Sequence, residues 1–238
     1  MKGKIITIEG LDGCGKSTQI SLLQKYFAKI NLKHKFIHYP KLNEGVYGEL
    51  IAEYLRGEFG SVEAVNPKIV GLLFALDRLE NKSMLNTWLE EGYCILMDRY
   101  VKSNIAFQCA KVHNESEKAK LKDWINNYEF AHNKLPKPAL SFFLNVPFEI
   151  IEKSLLKDRT GQDRKYLNGK KDIHEDSLKL QKEVLVEYFK MVDEESNFIN
   201  INCADPNNYW LDPETIHTKI KTQIENILAN GHHKVSLK

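Results

Sequence analysis

The chain has 238 residues, of which 42% are hydrophobic and 28% are charged. This composition is typical of a globular protein with a full hydrophobic core, most simply one large α/β domain. The formal net charge of +2 excludes a nucleic-acid-binding polycation. No apolar run approaches the roughly 18 residues needed to cross a bilayer. We therefore expect neither nucleic-acid nor membrane partners.

Four cysteines lie far apart and form no C-x-x-C pair: Cys14, Cys94, Cys109 and Cys203. This spacing argues against a disulfide framework or a zinc site and indicates reduced thiols in a cytoplasmic protein. The first strand pattern begins at Lys4, which we expect leaves no room for a signal peptide.

Apolar strand patterns alternate with amphipathic helix patterns, which predicts a five-stranded parallel sheet covered on both faces. The predicted strands are Lys4–Ile8, Lys35–Tyr39, Tyr93–Met97, Ala139–Val146 and Phe198–Asn202. The predicted helices are Thr18–Ile30, Val46–Arg56, Pro67–Glu91, Ser103–Lys111, Ser116–His132, Pro147–Lys157, Ile173–Val192 and Pro213–Leu228. We assign residues 1–230 to one domain and residues 231–238 to a polar C-terminal tail.

The segment between the first strand and the first helix has phosphate-loop spacing, two glycines separated by four residues and followed by Lys-Ser. We predict that it binds ATP through Gly10, Leu11, Asp12, Gly13, Cys14, Gly15, Lys16, Ser17 and Thr18. Backbone N–H groups and the helix N-terminus favour phosphate here. Lys16 would reach the β- and γ-phosphates, and the Ser17 hydroxyl would bind Mg²⁺. Together these patterns predict a phosphate-loop nucleotide-binding fold with three α/β/α layers.

The third predicted strand ends in Asp98 and Arg99. Carboxyl ends of parallel strands face the ligand crevice, so Asp98 suits Mg²⁺ and Arg99 suits the phosphate of an acceptor, together with Arg78. A surface ion pair between Asp98 and Arg99 is the alternative.

Residues 158–172 are basic, with two glycines and few apolar side chains. This pattern predicts a mobile lid that closes over the donor nucleotide and excludes water. Arg159 and Arg164 would then offset charge on the transferred phosphoryl group. A solvated run of charges is the alternative.

Four segments follow one another in a recognisable order: Ile8–Gln19, Leu73–Arg78, Asp98–Gln108 and Leu135–Pro138. They resemble the motifs of the thymidylate kinase family over about residues 4–203, and Asp98–Gln108 is the most specific. The resemblance implies a single nucleoside-monophosphate kinase domain that transfers the γ-phosphate of ATP to dTMP, giving dTDP and ADP. It also implies Mg²⁺ and a homodimer. Another (deoxy)nucleotide or deoxynucleoside kinase is the alternative.

The resemblance assigns roles around the acceptor base. Phe74 resembles the aromatic residue on which thymine stacks, and Arg78 the residue that hydrogen-bonds a thymine carbonyl. Asn104 is similar to the polar residue that contacts the base edge, and Phe107 to the ring that disfavours a ribose 2′-hydroxyl. Without the resemblance, Phe74 and Phe107 would be interpreted as core residues.

The resemblance also assigns the transfer centre. Asp12 looks like the carboxylate near the acceptor's 3′-hydroxyl and phosphate, and Arg99 like the arginine that binds that phosphate. We expect catalysis from Asp12, Lys16, Arg99, Arg159 and Arg164. The remaining predicted acceptor contacts are Tyr39, Lys41, Ser103, Gln108 and Tyr166.

Some positions depart from the family pattern. Gly13 stands where many eukaryotic members carry an arginine, which makes the arginines of the lid the catalytic candidates. Lys41 replaces an arginine, so a point charge replaces a bidentate group. Tyr166 either contacts the acceptor or packs at the lid hinge.

Two other classes are disfavoured. Guanine selection in regulatory GTPases usually uses Asn-Lys-x-Asp, and Asn133–Pro136 lacks the Asp. A non-catalytic binding protein is disfavoured because every phosphate-handling residue type is present. For a dimer interface we expect the helix at 67–91 and the segment at 103–111.

Overall fold

The computed structural model describes residues 3–42, 44–155 and 162–232. The strands are β1 (Lys4–Glu9), β2 (His34–His38), β3 (Cys94–Asp98), β4 (Leu140–Asn145) and β5 (Phe198–Asn202). They form one parallel sheet in the order β2-β3-β1-β4-β5. Because β1, β3 and β4 are buried at almost every position, both faces of the sheet are covered. The predicted parallel α/β fold is confirmed.

The helices are α1 (Lys16–Lys29), α2 (Gly45–Leu55), α3 (Pro67–Glu80), α4 (Lys82–Glu90), α5 (Val101–Cys109), α6 (Glu115–Asn126), α7 (Phe148–Leu155), α8 (Ile173–Asp176), α9 (Leu178–Glu194) and α10 (Pro213–His232). A π-helical turn, Asn127–His132, continues α6, and a 3-10 helix covers Gln162–Leu167. One hydrophobic cluster joins the sheet to helices that include α1, α5, α9 and α10. A smaller cluster joins α2 to α3. No helix within the described ranges is long and apolar enough to cross a membrane.

Two predicted helices are interrupted by polar side chains that bond to nearby backbone. The predicted helix 67–91 breaks at Asn81, whose Nδ2 donates to the Asp77 carbonyl over 3.0 Å. The predicted helix 173–192 breaks at Ser177, whose hydroxyl accepts from Leu180 N over 3.2 Å and caps α9. Such side chains compete with the regular helical ladder, so apolar spacing alone did not reveal the breaks.

Two other predicted ends differ. The helix predicted at 116–132 finishes in the π-helical turn, and this wider turn carries Glu129 into the fully buried interior. At the C-terminus α10 extends to His232, so Gly231 and His232 belong to a helix and not to the predicted tail. Residues 233–238 of that tail lie outside the described residues.

The strand order sets the position of the phosphate loop. β1 and β3 are neighbours, with Ile8 paired to Asp98, and Arg99 N donates to the Ile8 carbonyl over 3.0 Å. The loop after β1 and the turn after β3 therefore lie side by side at the carboxyl edge of the sheet.

Candidate active site

A cavity of about 420 Å³ opens at this edge. It is lined by predicted site residues from both ends of the expected reaction: Asp12, Gly13, Gly15, Lys16, Ser17, Thr18, Tyr39, Phe74, Arg78, Asp98, Arg99, Ser103, Asn104, Phe107, Gln108 and Tyr166. Further lining comes from residues that the sequence analysis did not single out: His38, Pro40, Leu42, Leu55, Tyr100, Asp172, His174, Glu175 and Trp210. The phosphate loop and the predicted acceptor residues thus share one space.

On the donor side, Lys16 is held by its own loop. Its Nζ donates to the Leu11 carbonyl over 2.8 Å and to the Gly10 carbonyl over 3.3 Å. Gly10, Leu11 and Cys14 do not line the cavity. Leu11 and Cys14 are buried, and burial raises the pKa of the Cys14 thiol. Cys14 therefore serves as a small packing residue.

Gly13 occupies a crowded left-handed position. Its φ is +79°, and a Cβ built there would lie 2.6 Å from Ser154 Oγ at the end of α7. Any side chain would meet both the strained backbone and that contact. In this chain, the left-handed backbone and the contact with Ser154 therefore both favour glycine at position 13.

Arg99 connects the two halves of the cavity. Its Nη2 donates to Asp12 Oδ1 over 2.6 Å, while its Nη1 donates to the Gly10 carbonyl and to Ser103 Oγ, each over 3.1 Å. Its backbone is left-handed, with φ of +65°, a conformation that costs a non-glycine residue about 1–3 kcal/mol. This turn and these bonds hold the guanidinium over the phosphate loop.

Glu9 is linked to Arg99 through Ser103 and lies next to the turn that carries Arg99. It is fully buried and accepts from Tyr100 N over 2.9 Å and from Ser103 Oγ over 2.5 Å. Burial raises the pKa of Glu9, and the hydrogen bond from Ser103 partly opposes that shift. Ser103 thus links a buried carboxyl group to the guanidinium.

The predicted base contacts surround a buried ion pair. Arg78 donates from Nε to Glu129 Oε2 over 2.9 Å and from Nη2 to Glu129 Oε1. The two side chains are only 2% and 0% exposed. Asn104 Nδ2 donates to Glu129 Oε1 over 3.0 Å and to the Gly71 carbonyl over 2.9 Å. Asn104 Oδ1 is buried and finds no partner among the described residues.

Two rings face each other near the lid side of the cavity. Phe107 stacks on His174, with ring centroids 5.0 Å apart and an angle of 19°, and the Arg99 guanidinium lies 5.3 Å from the Phe107 centroid. Tyr166 donates to Asp172 Oδ2 over 2.6 Å. Burial raises the pKa of Asp172 to about 7. Phe74 is half-buried in the cavity wall.

The oxygen ligands available near Asp98 suit Mg²⁺. Asp98 Oδ2 lies 3.2 Å from His38 Nδ1, whereas its Oδ1 is buried without a partner among the described residues. Burial opposes ionisation of Asp98, but His38, Lys16 and Arg99 lower its pKa overall. The described ranges contain no cluster of three His, Cys, Asp or Glu that could hold a metal. One carboxylate and the Ser17 hydroxyl fit an ion bound mainly by substrate phosphates.

Three predicted residues stand apart from this arrangement. Lys41 is not part of the cavity lining, and its Nζ lies 2.5 Å from Glu44 Oε2 and 3.5 Å from Asn81 Oδ1. Arg159 lies outside the described residues, and for Arg164 the backbone alone is described, within the 3-10 helix. The remaining described members of the predicted lid include Asp172, which caps α8 by accepting from His174 N over 2.8 Å.

The sequence analysis missed several residues of the site. Glu129 carried no local signal, because the π-helical turn alone brings it to Arg78. Asp172, His174 and Glu175 offered one signal, a helix-capping residue ahead of a short helix. Trp210 approaches the loop from the segment after β5, within 3.4 Å of a Cβ built on Gly15.

Comparison with known proteins identifies the family to which this chain belongs. The family model described as thymidylate kinase matches residues 8–209. The chain belongs to the thymidylate kinase family. The motifs that resemble the family therefore lie in a true member of it.

Individual relatives agree. A thymidylate kinase of Plasmodium falciparum is 33% identical over 146 residues, covering 61% of this chain and 63% of that protein, which is just under two thirds of its length. One from Mycobacterium tuberculosis is 35% identical over 147 residues, covering 61% and 67%. The solved thymidylate kinase of Candida albicans superimposes with a TM-score of 0.69 at 25% identity, covering 94% of this chain and 92% of that one.

Proposed function

We propose that this protein transfers the γ-phosphate of ATP to dTMP, giving dTDP and ADP for dTTP synthesis. One observation carries the proposal: the phosphate loop and the Phe74, Arg78 and Asn104 side chains line the same cavity. A half-buried ring suits the face of a neutral pyrimidine. A buried guanidinium and an amide oxygen without a protein partner suit the carbonyl and N–H groups of its imide edge.

The proposed reaction needs no general base, because the attacking phosphate oxygen of the acceptor is already anionic. Catalysis then depends on alignment and charge neutralisation. Arg99 lies between Asp12 and the acceptor pocket and would hold the acceptor phosphate, while Lys16 would contact the donor phosphates. Arg159 and Arg164 are proposed to complete the charge around the transferred group.

We propose Ser17 and Asp98 as the protein groups that hold Mg²⁺. When bound, the ion would neutralise charge on the donor phosphates. The support is the buried Asp98 Oδ1 without a protein partner and the low pKa of this carboxyl group.

The test is steady-state kinetics of the purified protein with ATP and Mg²⁺ and a panel of acceptors. We expect dTMP to give the highest kcat/KM among dTMP, dUMP, dCMP and thymidine. The structure of the Candida albicans relative is described in terms of broad substrate specificity, so purine monophosphates belong in the panel. A preference for any other acceptor would show that the base pocket has been misassigned.

A homodimer is proposed through α3. Ile69 of this helix is a large apolar side chain that is 54% exposed. The segment 103–111 is unsuitable, which corrects the expectation above, because Ser103 through Ala110 are buried within the chain. Light scattering tests this: Ile69→Lys should give monomers, whereas Val186→Lys, a comparable change on the exposed side of α9, should not.

We also propose a cytoplasmic location and a single kinase domain over residues 1–230. The support for the location is that all four cysteines are free and buried. The support for one domain is that the main hydrophobic cluster runs from Ile5 to Ile224.

A further inference from the structure

Lys111, just after α5, is a half-buried ammonium group whose hydrogen-bond partners are neutral. Its Nζ donates to Tyr54 Oη over 2.7 Å, to Gln108 Oε1 over 2.9 Å and to His174 Nε2 over 3.1 Å. These three acceptors come from α2, α5 and α8. Burial lowers the pKa of Lys111 to about 7, as expected for a cation held by dipoles.

An ammonium group can only donate hydrogen bonds, so Lys111 fixes the orientation of the Gln108 amide and the tautomer of the His174 ring. Gln108 must turn its carbonyl oxygen to Lys111, which turns its NH₂ group the other way. Gln108 Nε2 is buried without a partner among the described residues, and Gln108 lines the acceptor cavity. His174 must offer an unprotonated Nε2, so its hydrogen lies on Nδ1, and this ring stacks on Phe107.

Asn104, one turn earlier on α5, is fixed with the opposite polarity. The Glu129 carboxylate and the Gly71 carbonyl only accept, so the Asn104 NH₂ group must face them. The Asn104 Oδ1 atom therefore has no hydrogen-bond partner among the described residues and can accept a hydrogen bond from a ligand. Two amides on one helix face thus offer one acceptor and one donor, and Arg78 adds a second donor beside them.

Thymine presents an acceptor, a donor and an acceptor along its imide edge, whereas cytosine presents an amino donor and an unprotonated N3. We propose that Lys111 is a positioning residue for base selection, which fixes the Gln108 amide so that its NH₂ group serves a thymine carbonyl. This role rests on the dTMP kinase activity proposed above. Without Lys111, the Gln108 amide can rotate and offer its oxygen to a cytosine amino group.

The experiment compares kcat and KM for dTMP and dCMP in wild type, Lys111→Met and Lys111→Arg. We expect Lys111→Met to lower the dTMP-to-dCMP ratio of kcat/KM by at least about tenfold, mainly through KM, because the pairing of buried polar groups carries the discrimination. Lys111→Arg keeps a donor-only cation and should restore most of the ratio. An equal loss for both acceptors in Lys111→Met would overturn the role.

Two further variants keep the test decisive if Lys111→Met folds poorly. Gln108→Glu retains an oxygen acceptor for Lys111 but has no NH₂ group, so it should fold and still lose dTMP preference. In a Gln108→Leu background, Lys111→Met should leave the ratio unchanged, and a further change there would contradict the proposal. A wild type that does not phosphorylate dTMP would refute the proposed function itself, whereas an active wild type with an unaltered ratio in Lys111→Met refutes this role alone.

Discussion

Glu129 neutralises Arg78 inside the protein, at a distance of 51 residues along the chain. The pair is bidentate and almost fully buried, and the same carboxylate also orients Asn104. A π-helical turn therefore determines the charge and the polarity of the proposed base pocket. Stability and the proposed recognition of the acceptor would then depend on the same contacts.

Removing the charge of Glu129 should destabilise the fold. Glu129→Gln removes the carboxylate that pairs with both sides of the buried Arg78 guanidinium, and we expect a loss of about 3–5 kcal/mol in the free energy of unfolding. Denaturant titration measures it. Lys122→Met removes a partner from an exposed ion pair with Glu194 and should cost less than about 1 kcal/mol. Equal losses in the two variants would contradict the assigned role of the buried pair.

Arg99 should be needed for turnover and not for folding. We expect Arg99→Ala to lower kcat with dTMP by about 100-fold or more, because it removes charge from the transfer centre. Arg99→Lys should recover only part of the lost kcat, since one ammonium group cannot replace the contacts that the two guanidinium nitrogens make. Lys102→Met is the control, because that ammonium faces Glu195 away from this cavity. Near wild-type turnover in Arg99→Ala would remove Arg99 from the mechanism.

Asp172 should make stability fall as pH rises from about 4 to about 7. Burial raises its pKa in the folded protein from 3.8 to about 7, so the folded state holds a proton that the unfolded chain releases. Its contribution is full below pH 4 and is lost as pH rises through 7. Three pKa units correspond to at most about 4 kcal/mol.

The matched variant for this pH effect is Asp172→Asn, which retains an oxygen to cap α8. Its stability relative to wild type should increase between pH 4 and pH 7, measured by urea unfolding at each pH. Asp193→Asn changes an exposed residue of α9 and should run parallel to wild type. A parallel curve for Asp172→Asn would show that this carboxyl group is ionised in the folded protein.

Gly13 and Gly169 have nearly equal φ, so alanine substitutions at the two positions distinguish the cost of backbone strain from the cost of steric crowding. Gly169 has φ of +80° and no atom within 4 Å of a built Cβ, whereas Gly13 has φ of +79° and meets Ser154 Oγ. Gly169→Ala should cost about 1 kcal/mol from the left-handed backbone alone. Gly13→Ala should cost more, and adding Ser154→Ala should recover part of the difference in melting temperature. Equal costs for both glycines would rule out the contact with Ser154.

Local sequence was sufficient for the sheet and for the phosphate loop. β5 was predicted at its observed bounds, Phe198–Asn202, because strand and loop patterns depend on neighbouring residues. The Asp98–Arg99 turn was expected beside the loop for the same reason: parallel strands end on one edge. Membership of the thymidylate kinase family followed from short contiguous motifs.

Long-range contacts could not be predicted in this way. Apolar spacing continues through Asn81 and Ser177, so the helix breaks caused by their side chains were not visible. Glu129 meets Arg78 only through the π-helical turn, and Lys111 meets His174 across 63 residues. Glu129 and Lys111 look like ordinary surface charges in the sequence. The π-helical turn brings Glu129 to Arg78, and the packing of α2, α5 and α8 encloses Lys111.

The contact between Arg99 and Asp12 has a consequence for small anions. With its guanidinium already bonded to a carboxylate, the proposed site for the acceptor phosphate is internally neutralised. A free inorganic phosphate ion would have to displace Asp12 without any base or sugar contact in return. If Arg99 holds the acceptor phosphate as proposed, abundant cellular anions should bind there weakly, and a ligand should bind well only when its nucleoside portion binds at the same time.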